Sequence, residues 1–125
     1  MSKTALVVDD SLSIRQMLAF TLQQAGFTVL QGANGVEGLQ QLQFPLNKGR
    51  VDLIITDLNM PQMDGIAFIR SLRAVDGCRF TPVLMLTTES QETKKQEGKA
   101  AGATGWIVKP FDPEKLLAVV KRLVP

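Results

Sequence analysis

Five short apolar runs, separated by longer stretches with helical spacing, constrain this chain more than any other feature. The runs are Ala5 to Val8, Thr28 to Leu30, Leu53 to Ile55, Val83 to Leu86 and Trp106 to Val108. They are too short for helices, and several are apolar at consecutive positions, as strands covered on both faces require. Their alternation with helical patterns predicts βαβ units feeding a parallel sheet. Ile14, Met17, Leu18, Leu22 and Ala25 follow helical spacing after the cap candidate Ser11. Val36, Leu39 and Leu42 carry the second helix, and Pro45 and Gly49 mark the loop after it. Ile66, Ile69 and Leu72 carry the third after the cap candidate Asp64, and Leu116, Leu117, Val120 and Leu123 carry the fifth. The fourth segment, Gln91 to Ala101, is polar almost all round and contains Gly98, so it is expected to be the loosest helix.

A chain of 125 residues has room for one core, so a single domain over residues 1–125 is expected. No apolar run approaches the ~18 residues a membrane span needs, and Asp9 and Asp10 interrupt the N-terminal run too early for a secretory signal. The expected location is the cytoplasm. Cys78 is the only cysteine and histidine is absent, which removes intrachain disulfides and the usual zinc and iron ligand sets. Any metal is then a hard, oxygen-ligated one, and any histidine phosphodonor is another protein. A net charge of +2 with dispersed basic residues makes no case for nucleic acid. Lys94, Lys95 and Lys99 read as a solvated helix face.

Ligands of open α/β sheets bind at the carboxyl ends of the strands. Those ends carry Asp9 with Asp10, Gln31, Asp57, Thr87 with Thr88, and Lys109. In a doubly wound sheet of order 2-1-3-4-5 with helices on both faces, strand 2 lies at the edge, and the other four ends form one rim. Three carboxylates would then converge, and at an effective dielectric near 20 each close pair repels by about 4 kcal/mol. A divalent cation resolves this. Magnesium suits oxygen ligands and bridges carboxylate to phosphate, the role expected for Asp9, Asp10 and Asp57, with the backbone carbonyl of Asn59 as a further ligand. Manganese is the expected substitute. Aspartate can also attack phosphorus, and Asp57 is the nucleophile candidate because the paired aspartates share the metal from one turn. Lys109 would pair with a phosphoryl oxygen, and Lys109-Pro110 is a candidate cis bond. Thr87 could donate to another phosphoryl oxygen.

Taken singly, these residues have structural explanations: Asp9 and Asp10 as caps, Asp57 as a strand end, Lys109 as surface charge, Trp106 as core. Pro61, Asp64 and Gly65 read as turn and cap residues. Matching chemistry on four strand ends outweighs them.

These residues resemble the receiver domains of two-component response regulators, and specifically the CheY-like single-domain chemotaxis regulators. The resemblance covers essentially the whole chain. It rests on Val8-Asp9-Asp10-Ser11, Asp57 with Met60-Pro61 and Asp64-Gly65, Thr87, and Ala101-Gly102-Ala103 leading to Lys109-Pro110-Phe111. It implies a flavodoxin-like (βα)5 fold and a monomer in which Asp57 accepts a phosphoryl group from a partner histidine kinase. It implies that Asp9 and Asp10 bind magnesium, that Thr87 moves toward the phosphate, and that Trp106 turns inward. It implies that a downstream protein, such as a flagellar motor component, binds the face of helix 4, strand 5 and helix 5. Asn59 and Glu89 match positions that tune acyl-phosphate hydrolysis. Trp106 stands where the family more often has tyrosine or phenylalanine.

The alternative reading is a phosphate sink or phosphorelay intermediate serving a histidine phosphotransfer protein. No enzyme activity is expected beyond self-phosphorylation and slow self-dephosphorylation. A haloacid-dehalogenase-type phosphatase needs an aspartate where Asn59 stands, and a flavodoxin needs a phosphate cradle where Asp9 and Asp10 stand.

Overall fold

The computed structural model describes residues 3–88 and 92–125. Strands and helices alternate as β1 (Lys3–Val8), α1 (Leu12–Gln24), β2 (Phe27–Gly32), α2 (Gly35–Gln43), β3 (Leu53–Asp57), α3 (Gly65–Leu72), β4 (Val83–Thr87), α4 (Glu92–Ala101), β5 (Gly105–Val108) and α5 (Pro113–Leu123). The strands form one parallel sheet in the order β2-β1-β3-β4-β5. Four helices start where a short polar side chain accepts from the first turn: Ser11, Asn34, Asp64 and Asp112. The expected start of α4 at Gln91 lies outside the described residues.

Because side chains alternate along a strand, one sequence run feeds two cores. Ala5, Val7, Leu53, Ile55, Leu84 and Leu86 pack with Leu18 and Leu22 of α1 and Leu116 and Val120 of α5. Leu6, Val8, Ile54, Val83 and Met85 pack on the other face with Leu42 of α2 and with Ile66, Phe68, Ile69 and Leu72 of α3. Every residue of β3 and β4 is buried, as central strands between two helical layers must be.

Four surface assignments differ from the sequence reading. Met17 and Ala25 are exposed, and Ala19 and Thr21 are buried in their place, because the docking face of α1 centres on Leu18 and Leu22. Val36 is exposed, because α2 approaches the core through Gly35 and Gly38, whose missing Cβ atoms leave room for Met63 and Phe68. Lys95, read as part of a solvated face, is buried at 8% exposure, because α4 turns Lys95 and Gly98 toward the sheet.

Candidate functional site

The two buried carboxylates at the rim are placed by different strands and held by local backbone. Asp9 follows β1; its Oδ1 accepts from the Ser11 amide at 2.8 Å, and its amide donates to Gly32 O at 3.1 Å. Asp57 ends β3, and its Oδ1 accepts from the Leu58 amide at 2.8 Å. Lys109 follows β5 and is joined to Pro110 by a cis bond, and its amide donates to Thr87 O at 2.7 Å. Its ammonium reaches across to Asp57 Oδ1 at 3.0 Å and Asp9 Oδ2 at 3.5 Å. Asp9 and Asp57 are buried, whereas Asp10 is exposed.

One oxygen from each of Asp9, Asp10 and Asp57 lies within 4.8 Å of the others. Asp9 Oδ2 is buried without a hydrogen bond, a costly state for a carboxylate oxygen. Burial pushes the Asp9 carboxyl up and the neighbouring Asp57 and Asp10 charges push the same way, outweighing the Ser11 amide and Lys109. A raised acid is one whose charged form the fold disfavours, so Asp9 subtracts stability as the pH rises through its titration. A buried oxygen that accepts no hydrogen bond, within an all-oxygen, hard donor set, fits a cation such as magnesium. Burial alone would lower the Lys109 ammonium, but its hydrogen bond and attraction to Asp57, then to Asp9, leave it raised.

Thr87 ends β4, is buried, and donates from Oγ1 to Thr88 O at 3.0 Å. Asn59 is exposed in the loop after β3. Glu89 lies outside the described residues. Trp106 is half-buried on β5, paired in register with Met85. A groove of about 610 Å³ follows β5 and α5, lined among others by Trp106, Val108, Lys109, Lys115, Val119 and Arg122.

Two contributors escape sequence reasoning. Gly65 is more than a turn residue: a Cβ there would stand 2.2 Å from Asp57 O and 2.8 Å from Leu58 Cα, so only glycine lets α3 close on the end of β3. Its amide donates to Leu58 O at 2.9 Å, tying the loop. Its place beside the cap Asp64 is the one sequence signal, and that signal is shared by ordinary turns. Arg15 donates to Asp9 O at 2.7 Å and to Gln31 Oε1 at 3.2 Å, holding the β1 turn. Nothing in the sequence marks it.

The three carboxylates and the ammonium thus meet at the carboxyl ends of the strands of a doubly wound α/β protein, where such folds bind their ligands. Residues 5–121 match the response regulator receiver domain, and the chain belongs to that family. It is 36% identical over 124 residues to the phosphate regulon transcriptional regulatory protein PhoB of Escherichia coli, covering 99% of this chain and 52% of that protein. The chain thus spans about half the length of the curated relatives first matched. It is 38% identical over 122 residues to the chemotaxis protein CheY-3 of Vibrio cholerae, covering 94% of this chain and 92% of that one. The structure of the chemotaxis protein CheY4 of Vibrio cholerae, 52% identical, superposes with a TM-score of 0.90 over 98% of this chain and 99% of that one. The fold expected from the sequence, five parallel strands in the order 2-1-3-4-5, is thereby shown. Among the described residues no helix is long and apolar enough to cross a membrane.

Proposed function

We propose that the protein accepts a phosphoryl group on Asp57 and responds by changing its affinity for a downstream protein. The observation that carries this reading is the meeting of the Lys109 ammonium with Asp57 Oδ1 and with the buried Asp9 Oδ2, which accepts no hydrogen bond. The Leu58 amide and Lys109 both engage Oδ1 of Asp57, which leaves Oδ2 to attack. In the step, an Asp57 oxygen bonds to phosphorus while the bond from phosphorus to the donor's imidazole nitrogen breaks. The electron pair stays on the imidazole. Lys109 then shifts its pairing toward a phosphoryl oxygen, and Thr87 donates its hydroxyl to another. Asp9, Asp10 and Asp57, with the Asn59 carbonyl as a further ligand, would hold a magnesium ion, which would supply charge neutralisation for the transferred group. The acyl phosphate is hydrolysed at the same site when water attacks phosphorus and the bond from phosphorus to the Asp57 oxygen breaks, which releases inorganic phosphate and restores the carboxylate; Asn59 and Glu89 tune this step. No other turnover is expected.

The donor is a histidine kinase in the cytoplasm, and the listener engages the face of α4, β5 and α5. The groove there, apolar at Val108 and Val119 and basic at Lys115 and Arg122, suits an acidic amphipathic segment. The likeness to CheY-3 and CheY4 supports a chemotaxis role, with a motor-switch component as listener. The second reading for the same site is a phosphate sink or relay that passes the phosphoryl group to a histidine phosphotransfer protein.

Treatment with acetyl phosphate with and without magnesium tests the site. An alkali-labile adduct on Asp57 is expected only with magnesium, and none on Asp57→Ala. Modification that ignores magnesium or survives that substitution would sink the mechanism. Retention of phosphate in the presence of a histidine phosphotransfer domain, with binding to a motor-switch peptide, would separate regulator from sink.

A further inference from the structure

Helix α4 is held to the sheet in an unusual way. Its buried residues are Lys95 and Gly98 alone. Gly98 lies on Met85: a Cβ there would stand 2.0 Å from the Met85 sulfur. The far end of the helix is pinned by Arg73, which donates to Gly102 O at 2.6 Å and also to Cys78 O and Thr81 O at 2.8 and 2.7 Å. Between these points no large apolar side chain of α4 is buried. What stands there is a pair of charges over a ring: Lys95 Nζ and Lys99 Nζ each lie 5.6 Å from the centre of the Trp106 ring. Both distances fall within the range at which an aromatic face attracts an ammonium. Lys95 is further fixed by Glu92 at 3.5 Å.

We propose that Lys95 and Lys99 are positioning residues forming a cation–π latch on Trp106, which sets the indole's position and holds α4 against β5. A lysine on a docking face can also be buried for its alkyl stem alone, with the charge playing no part. The two cases differ in chemistry. A latch needs positive charge and tolerates arginine; stem packing needs only methylenes and tolerates methionine. The latch matters for signalling only through the proposed phosphoryl switch, and that part of the inference rests on the reading above. Holding the observed arrangement of Trp106 opposes any rearrangement of the indole that accompanies activation, so weakening the latch makes activation easier.

The test uses the full chain and two double variants, Lys95→Met with Lys99→Met, and Lys95→Arg with Lys99→Arg. Amide hydrogen exchange of residues 94–101 and the emission of Trp106, the only tryptophan, are read without phosphodonor. The methionine pair is expected to speed exchange about fivefold and shift the emission, and the arginine pair to restore both. Methionine variants that exchange and emit like the parent would overturn the latch. Titration with acetyl phosphate and magnesium then reads the coupling: the methionine pair should reach half of its fluorescence change at about fivefold less donor. An unchanged midpoint, with acyl phosphate formed, would overturn the coupling. Failure to form acyl phosphate in the parent protein would instead count against the proposed function, while exchange and emission still decide the latch.

Discussion

The third and fourth βα units lie side by side, each a fully buried strand followed by a helix on the same face of the sheet, yet they are secured at opposite ends. β3 passes into α3 through a loop tied at the rim, where Gly65 meets Asp57 and Leu58, and α3 then buries Ile66, Phe68, Ile69 and Leu72. α4 buries Lys95 and Gly98 and is pinned at its far end, where Arg73 grips Gly102. A helix that buries four large apolar groups gains several kcal/mol that its neighbour lacks. Asp57 therefore sits on a well-anchored unit, and the surface beside it on one with little apolar anchorage. That division suits a site that must keep its geometry and a face that must respond.

The comparison breaks most severely at Phe68. Phe68→Ala empties a fully buried position and is expected to cost about 3–5 kcal/mol, read as a drop in urea midpoint. A loss below about 1 kcal/mol would mean α3 is no better anchored than α4.

Gly65→Ala comes next, at about 3 kcal/mol, because the obstructing atoms are backbone and cannot step aside. Magnesium affinity, followed by calorimetry, should weaken with it, since the displaced segment carries Asp57. Unchanged affinity would detach the α3 contact from the site.

Lys109→Met is smaller, about 1–2 kcal/mol near neutral pH, from the loss of charged contacts to Asp57 and Asp9. A raised ammonium stabilises the fold below the ordinary lysine range, and that stabilisation is lost as the pH rises through its titration. The gap between parent and variant should therefore close at strongly alkaline pH. A gap independent of pH would show that packing, rather than charge, is at stake.

The smallest effect is expected at Gly98→Ala. Overpacking against Met85 costs about 1–3 kcal/mol, and the gain in helix propensity returns about 1. A net loss under about 2 kcal/mol, with faster exchange confined to α4, would sharpen the contrast with Gly65.

Much of this was legible in the chain. The apolar runs carried strand order of appearance and burial, and the polar residues after them marked the rim, because both are local patterns. The lack of large apolar groups on α4 was legible too, from its polar composition. Met17 and Val36 misled because helical spacing identifies a stripe without saying where its centre docks. Lys95 misled more deeply: its charge argues for solvent, and only the neighbouring indole and the absence of larger side chains on α4 bring it inside.

By itself the sequence determined the alternation of five strands and five helices and the acid, hydroxyl and ammonium chemistry at the strand ends, since periodicity and residue type are properties of the chain. Tertiary structure alone decided which backbones touch. Asp9 Oδ2 was buried beside Lys109 without a hydrogen bond, Gly65 became an irreplaceable contact and Gly98 a close one, and Trp106 came to face two lysines, because each depends on segments distant in sequence meeting within a few ångströms.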